Sequence, residues 1–109
     1  MKKNNLLIDK MGSYTKIEGD KVYATKIAIS LSFIEVRDVL IEIADILEED
    51  YQKQIFIAIV KAGFANMNPA ILGISVEESN LHIVSYAKEG LIKQNTAEKA
   101  VERVLQYLR

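Results

Sequence analysis

The sequence has no cysteine, no tryptophan, one proline and one histidine in 109 residues. Without cysteine there is no disulfide framework, no thiolate zinc site and no thiol nucleophile. A single histidine excludes a multi-histidine metal centre within one chain. The five glycines are isolated, so there is no glycine-rich phosphate loop. An excess of one charge is missing too: 14 Lys and Arg stand against 15 Asp and Glu. A dedicated nucleic-acid binder carries a basic excess or stripe, so nucleic acid is not an expected partner. Long apolar runs are absent near the start, where Leu6, Leu7 and Ile8 are followed at once by Asp9. That is short of a signal-peptide core and of the roughly 20 apolar residues of a membrane span. The expectation is a cytoplasmic chain with no anchor, no cofactor and no metal.

Half of the residues are hydrophobic and 27% are charged, the profile of a soluble globular domain. A chain of this length buries about two-thirds of its surface on folding, enough for one core. We therefore expect a single α+β domain over residues 1–109, with 1–12 irregular or forming an edge strand.

Residues 14–18 and 21–29 are extended runs around Gly19-Asp20, a hairpin signal because such turns need positive φ. Residues 32–51 read as a helix. Ser32 and Glu35 have capping-box spacing, and Val36, Leu40, Ile43 and Leu47 repeat at helical intervals. Residues 54–60 are apolar on both alternating faces, Ile55/Ile57/Ile59 and Phe56/Ala58/Val60, which marks a central strand covered on both sides. Residues 70–77 and 81–88 form a second hairpin around Ser79-Asn80. Asn95 is placed to cap a last helix with Ala97, Val101, Val104 and Leu108 on its inner stripe.

The expected order is strand, strand, helix, strand, strand, strand, helix: a mostly antiparallel five-stranded sheet with two helices. In topology alone this string is similar to the small profilin-like, roadblock-like and longin-like regulatory modules. Such folds host many functions, so the topology implies none in particular.

Asp38, Glu42, Asp45 and Glu49 fall at helical spacing and would form one acidic stripe on the first helix. The plain reading is a solvated face, paired with Lys99 and Arg103 of the last helix; the functional reading is a docking face for a basic partner. A divalent cation between two carboxylates has less support, and no metal site is assigned. His82 shares a strand face with Val84 and Tyr86 and reads first as a structural histidine. Tyr14, Tyr23 and Tyr86 could stack bases only if they shared a face. The loop Gly63-Phe64-Ala65-Asn66-Met67-Asn68-Pro69 is the most unusual segment, either plugging the sheet end or exposing a contact surface. No catalytic residue is assigned.

Two functions of different class follow. The first is a non-catalytic interaction module, acting as a homodimer or with a protein partner. Its contact residues would be the acidic stripe and the Phe56/Ala58/Val60 face, the isoleucine face lying under the helices. The second is a small-ligand-binding domain or minor enzyme with a pocket near residues 63–69, drawing on Phe64, Asn66, Met67, Asn68 and His82. A flat exposed apolar patch would favour the first, and a concavity with convergent polar groups the second.

The cap gives a first test. Replacing Ser32 with Ala should lower stability by about 1 kcal/mol, as loss of an N-cap does. An unchanged urea midpoint would show that the helix starts elsewhere.

Overall fold

A strand that is apolar on both sides needs cover on both sides, and among the described residues three helices supply it. The structure is a computed structural model that describes residues 2–18, 21–60, 69–88 and 95–109. Among these residues the order is α1 (Lys2–Met11), β1 (Tyr23–Ile27), α2 (Phe33–Ile43), β2 (Ala44–Asp50), β3 (Ile55–Val60), β4 (Ala70–Val76), β5 (Leu81–Tyr86) and α3 (Thr96–Leu108). The strands form one antiparallel sheet in the order β1-β5-β4-β3-β2. Strands β1 and β2 are its edges.

On one face, α2 and α3 pack over Phe56, Val60, Leu72, Ile74, Leu81 and Ile83. Their own contribution is Phe33, Val36 and Leu40 from α2 and Ala100, Val101, Val104, Leu105 and Leu108 from α3. Phe33 stacks on Phe56 with ring centroids 4.0 Å apart, and Tyr51 meets Phe33 edge-on. On the other face, Leu7 and Met11 of α1 pack over Ile55, Ile57, Ile71, Val84 and Tyr86. Gly73, in the middle of β4, lets α1 come close. A Cβ there would stand 3.0 Å from Leu7 Cβ and 3.1 Å from Met11 Sδ. Glycine inside a strand often marks such an approach.

The expected α+β class and five-stranded antiparallel sheet stand, but the helix count and the element order do not. Residues 2–11 form a helix rather than an irregular or edge piece, because Leu7 and Met11 lie one turn apart and bury together. No strand forms at 14–18, where the chain turns away from α1; β1 pairs with β5 instead. Gly19-Asp20 lies outside the described residues. The helix expected over 32–51 stops at Ile43, where Ala44 is already extended. Continuing it would gather Asp45, Glu48, Glu49 and Asp50 at the negative end of the helix dipole. As strand β2 the same residues are shared between two faces, where Glu48 and Asp50 meet Lys10 of α1 and Glu49 meets Arg37 of α2. The order is therefore helix, strand, helix, four strands, helix, and the likeness in topology to profilin-like, roadblock-like and longin-like modules falls with it. The sidedness is also reversed: Phe56, Ala58 and Val60 lie under α2 and α3, not at an open interface.

Two other local readings hold, the Ser32 cap and the β4–β5 hairpin, and the Asn95 cap does not. Ser32 Oγ accepts from the Glu35 N–H at 3.1 Å, and Glu35 accepts from the Ser32 N–H at 3.0 Å, completing the capping box. The β4–β5 hairpin closes through the Glu77 N–H bonded to the Asn80 carbonyl. Asn95 stands at the N-cap of α3 but in a left-handed conformation, with no side-chain capping bond.

The close approach at Gly73 predicts a position intolerant of bulk. Gly73→Val should cost about 1–3 kcal/mol, as overpacking does, with amide exchange rising first in α1. Unchanged exchange in α1 would mean that the helix does not rest on β4.

Candidate ligand-binding site

Helix α1 has 10 residues, so it spans only about 15 Å. It covers its face of the sheet near Gly73 but not the end where β3 finishes and β4 begins. A cavity of about 480 Å³ opens there. Its apolar lining comes from Leu47 of β2, Ile59 of β3, Ile71 of β4 and Tyr86 of β5. Tyr14 and Thr15, just after α1, line it from the helix side, and Pro69, Ala70, Ala87 and Lys88 complete it. This size falls within the range of small-molecule sites, which are mostly apolar with a few placed polar groups.

A β-bulge makes this lining. The β2–β3 register shifts between Ile46 and Glu48. Regular alternation would put neighbours Leu47 and Glu48 on opposite faces. The extra residue lets Ile46 join the α2/α3 core while Leu47 packs with the α1 cluster, and Glu48 also reaches α1.

Glu48 ties the wall together. Lys10 Nζ donates to Glu48 Oε2 at 2.7 Å and lies 4.0 Å from Asp50 Oδ2. Tyr14 Oη donates to Glu48 Oε1 at 2.9 Å. The hydrogen bond from Lys10 holds the Glu48 carboxyl below its ordinary range, and the same bond raises Lys10. Tyr14 is raised because its neutral hydroxyl is the donor to Glu48. The phenol is thus kept protonated and fixed against the cavity, a positioned hydrogen-bonding group and not a base.

The residues singled out in the sequence are scattered. Asp38 and Glu42 are exposed on α2, while Asp45 and Glu49 are on β2. Asp45 pairs with Ile59 and Glu49 with Phe56, so they project from opposite faces, and Glu49 is bonded to Arg37. The single acidic stripe therefore does not exist. Arg103 lies over the Tyr107 ring at 5.8 Å.

His82 is buried, with Nε2 3.0 Å from Glu77 Oε1. It sits four residues from Tyr86 along β5, about 13 Å from that end of the strand, and does not line the cavity. Phe64, Asn66, Met67 and Asn68 lie outside the described residues; Pro69, the last residue of that loop, lines the cavity. Tyr23 packs with the α2/α3 core and Tyr86 with the α1 cluster, so the tyrosines form no stacking platform. Leu47 and Tyr14 were hidden by the assignment of 32–51 to helix and 14–18 to strand. Among the described residues no group of three or more His, Asp and Glu side chains is placed to hold a metal ion. Among them, too, no helix is long and apolar enough to cross a membrane.

Comparison with known protein families, with curated proteins and with solved structures gives no match to this chain.

The Lys10–Glu48–Tyr14 network sets a pH window. A lowered Glu48 contributes stability above the ordinary carboxyl range and loses it as pH falls through the folded value. The raised Lys10 and Tyr14 contribute below their unfolded values and lose this as pH rises through the folded ones. Glu48→Gln should therefore cost up to about 1 kcal/mol at neutral pH, the scale of a partly exposed pair. The difference should shrink in acid, once Glu48 is protonated in the parent protein. Urea curves at neutral and acid pH test this; a pH-independent difference would assign the loss to packing.

Proposed function

We propose that this chain is a ligand-binding domain that takes a small, largely apolar molecule in the cavity beyond the end of α1. The supporting observation is the concavity itself: four strands present Leu47, Ile59, Ile71 and Tyr86 to one space, beside a tyrosine hydroxyl fixed by Glu48. The rival reading, association through an open sheet face, loses the surface it needed, because α1 occupies one face and α2 with α3 the other. An apolar floor supplies affinity through burial, at about 25 cal/mol per Å². Tyr14, Thr15 and Lys88 would orient a polar end of the ligand. The described lining is mostly apolar, with Tyr14, Thr15 and Lys88 as its polar groups, which supports binding of a small molecule.

The test is a titration with 1-anilinonaphthalene-8-sulfonate, an aromatic anion, followed by amide NMR and dye fluorescence. Shifts should centre on Leu47, Ile59, Ile71 and Tyr86. Ile59→Trp, which fills the cavity, should abolish them; Thr15→Trp, at an exposed position, is the second variant if the first fails to fold. Binding that maps elsewhere, or that survives the filled cavity, would sink the proposal.

A further inference from the structure

The cavity beyond the end of α1 differs from one end to the other. Its apolar floor crosses the sheet from Leu47 on β2, through Ile59 and Ile71, to Tyr86 on β5. At about 4.8 Å between neighbouring strands, those four strands span roughly 14 Å. Such a floor suits an extended apolar body laid across the strands.

At the β2 end stands the Tyr14 hydroxyl, 3.5 Å from the Leu47 carbonyl oxygen and bonded to Glu48 Oε1 at 2.9 Å. Its hydrogen is given to Glu48, so only acceptor capacity remains. An anion placed there would meet lone pairs and, behind them, a carboxylate. A cation would find Glu48 already held by Lys10 at 2.7 Å.

The β5 end is different. The alternation that puts Val84 and Tyr86 on the α1 face continues to Lys88, the one charged side chain in the described lining. Thr15 adds a hydroxyl that can donate. Lys88 also stands in cationic company. The Glu18 carboxyl is lowered first by its hydrogen bond with Lys21, 2.7 Å away, and further by Lys16 and Lys88. Three ammonium groups thus act on one carboxylate, and this end of the cavity lies in a positive field.

We propose that the ligand is a carboxylate with an extended apolar tail, its head at Lys88 and Thr15 and its tail running across β4 and β3 toward Leu47. This rests on the cavity being a ligand site. A carboxylate only accepts, so its donors must come from the β5 end, and Tyr14 orients it by turning the head away from β2. An amine with the same tail would have to lie the other way round, against a carboxylate that is already occupied.

Decanoate, decylamine and decanol share one tail and differ in the head. Each is titrated at neutral pH, below the concentration at which it forms micelles, with amide NMR giving both site and affinity. Decanoate should bind more tightly than decylamine and shift the amides of Thr15 and Lys88 together with those of Ile59 and Ile71. Lys88→Gln should weaken decanoate about fivefold, the scale of an exposed ion pair, and decanol much less. Lys88→Arg should restore decanoate. Lys26→Gln removes an exposed charge beside His82, at the far end of β5, and should change neither. Decanol seated in the cavity with decanoate no tighter than decylamine would overturn the carboxylate and leave the cavity reading standing. So would equal losses of decanoate in the Lys88 and Lys26 variants, which would reduce the effect to bulk charge. Failure of all three compounds to bind at the cavity would overturn both. If Lys88→Gln fails to fold by circular dichroism, the comparison of decanoate with decylamine decides.

Discussion

The constraint on which this structure depends is the double apolar character of β3 and β4. Every described residue of β4, and all but Ile59 of β3, is buried. Removing one large aliphatic side chain from water is worth about 1.5–3 kcal/mol, so leaving either face uncovered would forfeit several such contributions. Helices α2 and α3 satisfy one face as a pair. Among the described residues the other is left to a single short helix, whose contact depends on the missing side chain of Gly73. The layering and the reversed sidedness follow from that unequal division.

Most of the inner sheet could be read from residues alone. The absence of alternation over 54–60 marks a strand buried on both sides, and Ser32 with Glu35 marks the start of α2, because both signals are local. The inner stripe of α3 is legible for the same reason: Ala97, Val101, Val104 and Leu108 repeat on one face, and the last three are buried. The end of α2 was harder. Ile43 and Leu47 preserve helical spacing across the junction, yet Leu47 owes its place to a bulge, which imitates that spacing by shifting phase. The physical cue was the acidic run at the end of the expected helix, an electrostatic penalty that a strand relieves. The site was less legible still. Tyr14 and Leu47 come together only through pairings between β2 and an N-terminal helix that has barely one full turn of visible periodicity.

The cavity and the edge are both products of where covering elements stop. Because α1 is short, the lower part of its face opens beside Tyr14. Because β2 follows α2 with no intervening loop, the helix and the edge strand are joined directly. The bulge connects the two places. It gives Leu47 to the cavity and Glu48 to the network that holds Tyr14, while leaving Asp45 and Glu49 on opposite sides of the edge.

The position of α1 also bears on how the chain reaches this state. Its apolar stripe rests on β3, β4 and β5, whose residues follow it by some forty to eighty positions. Contacts of such sequence separation close large loops and form late, whereas α2 with the β2–β3 hairpin and the β4–β5 hairpin are joined by near neighbours. During synthesis, Leu7 and Met11 would leave the ribosome long before the strands that bury them. Helix α1 then finds its seat only after β3, β4 and β5 have formed. Until it docks, the isoleucine face of the sheet stays open, a transient surface of the kind that invites aggregation or a chaperone.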